Sequence, residues 1–205
     1  MQRSLLKSLR YSLLGVERTR RRLESLCDQG HLVGRDLEMA YSGLFIRSVT
    51  SFEAFLEDLF LAVLAGKTAR STYTAKTLFP ELRSFSTPRI RLLLLGDRRF
   101  FDWLPYSYTE TRANRYFAGK TPFAAIDSTD KKALDEILYI RNALAHASPH
   151  ARDTFATKVI RDLPLPPRER TPVGYLRSSY RSVPSQTRFE HHSSELLRIA
   201  AILAC

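Results

Sequence analysis

Residues 35 to 65, "RDLEMAYSGLFIRSVTSFEAFLEDLFLAVLA", constrain the fold more than any other stretch of the chain. After Tyr41 the run is apolar on nearly every face, so a helix here has no solvent side and must be packed on more than one flank. A long central helix covered by other helices satisfies that requirement. Glu53 sits inside the run among Phe52, Phe55 and Leu56. An unpaired carboxylate there would cost several kcal/mol, so Glu53 either turns outward or has a cationic partner.

The covering helices are legible on both sides of this run. Leu5, Leu9, Leu13, Val16, Leu23 and Cys27 recur at steps of three and four with one gap of seven, which predicts an amphipathic helix to about Gly30. Its "RTRRR" run, Arg18 to Arg22, reads as a solvated face. Pro88 followed by Ile90 to Leu95 predicts a shorter helix, and Ser128 reads as the N-cap of "TDKKALDEILYIRNALAHA". Ser148 and Pro149 then start a helix over about 149–162, and a last one covers about 189–204, with Leu196, Leu197, Ala200, Ala201 and Leu203 to bury. Residues 105–128 show neither period. Residues 163–188 hold five prolines and are expected to be irregular. With no alternating strand pattern, the class is all-α: a bundle of about five or six helices in one domain, residues 1–205.

Charge narrows the partners. The chain carries 32 Lys+Arg against 21 Asp+Glu, a formal net charge of +11, and 25 of the basic residues are arginine, whose planar fork suits phosphate. Nucleic acid or another polyanion is the expected partner. Cys27 and Cys205 form no C-x-x-C pair, which suggests neither a zinc site nor a disulfide scaffold and fits a reducing cytoplasm. The start is broken by Arg3, Lys7 and Arg10, and the apolar end "LLRIAAILAC" is too short to cross a bilayer, so no targeting segment and no membrane association are expected.

The chemistry concentrates in "RNALAHASPH", residues 141–150. At about 100° per residue, Ala133, Leu134, Ile137, Ile140, Leu144 and Ala147 form one stripe, and Arg141 falls within it. His146 lies about 140° around from Arg141, with Asn142 between them. An imidazole titrates near neutrality, so His146 can take the proton of a ribose 2′-hydroxyl or give one to a leaving 5′ oxygen. Arg141 can hold two phosphate oxygens and stabilise the charge that builds on phosphorus. Asn142 can orient the imidazole or donate to phosphate. Such a site needs no metal and no cofactor. The bare spacing says little in a chain with 25 arginines, but of the five histidines His146 alone has an Arg five residues before it. His150, His191 and His192 read as surface or capping groups.

"RNALAH" resembles the Arg-x4-6-His motif of HEPN domains, in which a polar residue often follows the Arg, as Asn142 does here. "LFIRSVTSFEAFLEDLF", with Glu53 in a phenylalanine-rich helix, resembles their second helix. The resemblance covers about residues 1–162 and, more loosely, the terminal helix; the segment 163–188 departs from it. It implies a helical bundle that dimerises so that two Arg/His sets face one cleft, with endoribonuclease activity in catalytic members. Arg141 and His146 would then be catalytic, Asn142 supporting, and Glu53 the residue that positions the Arg. The expected function is a homodimeric, metal-independent ribonuclease of the toxin or antiviral defence type, with an antitoxin or defence-complex protein as a possible partner. The alternatives are a non-catalytic RNA- or nucleotide-binding module within a larger complex, and a structural adaptor. Arg168, Arg170, Arg177 and Arg181 are expected to reach RNA backbone, with Tyr175 or Tyr180 stacking on bases; a surface loop pinned by its prolines is the other reading of that segment.

Overall fold

The computed structural model describes residues 2–67, 75–119, 121–146 and 148–205. The fold is all-α, with eight α-helices among the described residues. The apolar run forms α2, Gly34–Leu64, and fourteen of its side chains are buried. The preceding helix α1, Gln2–Asp28, turns at Gly30 and packs back along α2. Then come α3 (Thr87–Leu95), α4 (Tyr106–Tyr116), α5 (Ser128–Ala145), α6 (Pro149–Lys158), α7 (Pro172–Arg177) and α8 (Arg188–Leu203). Helices α5 and α8 pack against α2 and against each other. One buried cluster, running in sequence from Leu9 to Leu203, joins them. No helix among the described residues is long and apolar enough to cross a membrane.

Two helices more than expected are present, each in a stretch that sequence periodicity leaves blank. In α4 the inward positions are Tyr106, Thr109 and Ala113, so the helical step of three and four exists but is written in polar and small residues. The Thr109 hydroxyl donates to the carbonyl of Trp103 at 2.6 Å, which makes its burial tolerable. The segment 163–188 is also more ordered than its prolines suggest. Thr171 caps α7 by accepting the Gly174 N–H at 3.0 Å, Pro172 occupies the first turn, and Val173, Tyr175 and Leu176 are buried. A Cβ at Gly174 would stand 2.0 Å from the carbonyl oxygen of Arg168, so only glycine permits this approach. After α7, β1 (Ser179–Arg181) pairs antiparallel with β2 (Gln186–Thr187); a second short ladder joins 76–77 to 117–118.

Two boundary expectations are corrected. The N-cap of α5 is Asp127, not Ser128: its carboxylate accepts from the N–H groups of Thr129 and Asp130, and the Asp130 side chain returns a bond to the Asp127 N–H. A carboxylate caps more completely here than a hydroxyl would. Helix α6 does start at the Ser148 cap but stops at Lys158, not about 162. Ala147, which the sequence places on the apolar stripe of α5, lies outside the described residues.

Arg20 is the largest departure in α1. Expected to be solvated with the rest of Arg18 to Arg22, it is 5% exposed, whereas Arg18, Arg21 and Arg22 are exposed as expected. It occupies the seven-residue gap between Val16 and Leu23, the stripe position that an apolar residue would fill. Its guanidinium binds Glu17 at 2.7 and 2.8 Å, Glu190 of α8 at 2.8 Å and the Tyr41 hydroxyl of α2 at 3.0 Å. A buried arginine is tolerated only with such complete pairing, and this one ties three helices together.

Candidate functional site

Helix α5 carries the site because of how it ends. Leu134, Ile137 and Ile140 anchor its inner face at less than 1% exposure, so Arg141 enters on the same stripe and is drawn half inside. Its Nη1 donates to Asn142 Oδ1 at 2.9 Å, and its Nε is shut off from solvent with no hydrogen-bond partner among the described residues. A buried donor without an acceptor costs on the order of 1–3 kcal/mol. Glu53 of α2 is half-buried nearby. Burial pushes its carboxyl above the usual range, the Arg141 charge pulls the other way, and Asp102 adds to the rise. The cationic partner expected of Glu53 is therefore Arg141, acting by charge, since no hydrogen bond joins the two.

His146 ends the helix. Its N–H bonds the Asn142 carbonyl at 2.9 Å, but its backbone is extended, with φ −125° and ψ 123°. The angle of about 140° from Arg141 assumes a continuing helix and does not apply. The exposed imidazole instead joins a hollow of about 230 Å³ between α5 and α6, lined by Tyr139, Asn142, His146, Ser148, His150, Ala151 and Thr154. Arg141 does not line it and stands behind Asn142, which touches both sides. His150, expected to be a surface or capping group, is exposed, but it faces the same hollow as His146. No helical period shows that relation, because a break in the helix separates the two.

The remaining predicted contacts lie elsewhere. Tyr175 is 2% exposed, its hydroxyl donates to Glu136 at 2.7 Å, and Arg188 lies over its ring, so it has no face to offer a base. Tyr180 is half-exposed and already stacks on His191, ring centres 3.7 Å apart. Arg177 binds Glu24 with two hydrogen bonds of 2.9 and 3.0 Å, and Arg170 donates to the Leu165 carbonyl. Arg168 projects into solvent near Glu169. Arg168 and Arg177 line one hollow, with Glu24, Glu38 and Glu169, and Arg181 another, neither shared with His146. Within one chain, this segment does not meet the end of α5.

His192, expected at the surface or at a cap, is a core residue. It is 3% exposed against Phe45 and Tyr175. Burial first, with His191 and Arg188 adding to it, pushes its imidazole down to about 3. Among the described residues no three His, Cys, Asp or Glu side chains gather as a metal site. The chain matches no protein-family model, no curated protein and no solved structure.

Proposed function

We propose that the chain is a metal-independent endoribonuclease with a HEPN-like bundle, acting as a homodimer in the cytoplasm as a toxin or antiviral effector. The observation that carries this reading is Asn142, which holds the Arg141 guanidinium at 2.9 Å and itself lines the hollow of the exposed His146. A cation ordered by a residue that also borders a proton-transfer group is what a phosphodiester in transit requires. In the reaction, the 2′-oxygen attacks phosphorus, the P–O5′ bond breaks, and a 2′,3′-cyclic phosphate and a 5′-hydroxyl fragment leave. His146 moves a proton at one of the two oxygens, and Arg141 holds the charge on the nonbridging ones.

The test is incubation of the purified protein with RNA in EDTA. Wild type should leave cyclic-phosphate ends, and 2′-deoxy substitution at the cut site should abolish cleavage. His146→Ala should slow the reaction by about 10²- to 10⁴-fold while RNA is still bound. Arg141→Ala should lower affinity and rate together, and Arg141→Lys should restore little, because a point charge cannot make the two-pronged contact. RNA bound but never cut would replace the enzyme with the binding-module alternative. Cleavage by His146→Ala at the wild-type rate would remove the mechanism.

A further inference from the structure

We propose that His150 is the second proton-transfer residue of this site, the base that takes the 2′-hydroxyl proton, and that His146 is the acid that protonates the 5′ oxygen. The assignment rests on the ribonuclease reading above. Transesterification moves two protons, one off the nucleophile and one onto the leaving group, and a single neutral or charged imidazole serves only one of them at a time. The hollow between α5 and α6 is lined by two imidazoles, both exposed. Tyr139 is the remaining titratable group among the described residues that line it.

Their places on the backbone separate the roles. His146 is the first residue past α5, where the unpaired carbonyls of a helix end carry partial negative charge. His150 is the second residue of the ten-residue α6, after the Ser148 cap and Pro149, where the free N–H groups carry partial positive charge. Ser148 accepts the Ala151 N–H at 3.3 Å, and this cap fixes the turn that brings the start of α6 beside the end of α5. The steps balance: His150 removes the proton as the P–O2′ bond forms, and imidazolium His146 gives its proton to O5′ as the P–O5′ bond breaks.

The experiment is the rate of cleavage against pH from about 5 to 9 for wild type, His150→Gln and His146→Gln. The same variants are then tested on an RNA whose 5′ bridging oxygen is sulfur, a leaving group that departs without protonation. Wild type should give a bell. His150→Gln should fall by about 10²-fold or more near neutrality and lose the acidic limb, and His146→Gln should lose the alkaline limb. The sulfur substrate should rescue His146→Gln and leave His150→Gln slow. If His150→Gln matches wild type at every pH while His146→Gln is dead, this proposal falls and the ribonuclease reading stands. Rescue of His150→Gln instead of His146→Gln would reverse the assignment and so overturn it. If wild type cuts nothing, the ribonuclease reading itself falls.

Discussion

At the scale of single residues, charge in the interior sets what a hydrophobic pattern hides. His192 faces Phe45, Tyr175, His191, Arg188 and the Glu136 carboxylate, the last 3.7 Å from an Nε2 that has no hydrogen-bond partner. With its pKa near 3 the ring is neutral, so this close approach is not an ion pair at neutral pH. The folded value lies below the ordinary histidine value of about 6.5, so as the pH falls below 6.5 the unfolded chain takes up a proton that the folded chain refuses. Stability from this group is complete above pH 6.5 and is lost toward pH 3, by up to about 1.4 kcal/mol per pH unit. Denaturant unfolding at pH 7.5 and 5 should therefore show wild type losing about 2 kcal/mol more than His192→Leu. Equal losses would place His192 in contact with water. Neither His192 nor Arg20 was legible from sequence: "HH" after a turn looks solvated, and one arginine among four looks like its neighbours. Only the missing apolar step between Val16 and Leu23 marked position 20. Arg141 was legible for the opposite reason, since it interrupts an otherwise regular stripe.

At the scale of elements, the long periodic helices were readable and the short ones were not. Helix α2 follows from its apolar run, but the expectation that it has no solvent side is corrected: Gly43, Arg47, Thr50, Ala54 and Asp58 form an exposed stripe along it. Helices α4 and α7 are held by bonds their local pattern does not record, Thr109 to the Trp103 carbonyl and Tyr175 to Glu136. The order of 163–188 also divides its arginines. Arg177 pairs with Glu24 and lies 5.8 Å from the Tyr41 ring centre, so its work is to fasten α7 to α1 and α2. Arg177→Gln should lower stability by about 1 kcal/mol and leave RNA affinity unchanged. Arg168 and Arg181 are exposed. Replacing both with glutamine should leave the melting temperature in place and flatten the salt dependence of RNA binding, by roughly 0.7 in log–log slope for each phosphate no longer neutralised. A double variant with the wild-type slope would take the segment off the RNA path.

At the scale of the whole molecule, one chain holds the parts of the site but leaves them apart. The sealed Nε of Arg141 has no acceptor among the described residues, Arg168, Arg177 and Arg181 do not line the hollow of His146, and Leu92, Leu93 and Phe100 stand 56–68% exposed on α3 and the residues that follow it. A second copy related by a two-fold axis, with the end of α5 in the interface, would set two Arg141/His146 groups across one cleft and could bring the arginines of one chain toward the hollow of the other. Ala145, small and exposed beside the polar group, leaves a second backbone room to approach, whereas Ala143 packs on the chain's own core. Charge opposes the pairing, because two chains of +11 repel, and so the contact must be held by apolar surface. Salt screens the repulsion without weakening apolar burial. Light scattering at micromolar concentration should therefore give twice the mass of the chain, with the dimer fraction rising from low to moderate ionic strength. An arginine at the exposed Ala145, placed against the partner's backbone, should return the protein to monomer and remove cleavage together while helical content stays at the wild-type level. A monomer at every salt concentration, or an Ala145→Arg monomer that still cuts, would confine the site to one chain.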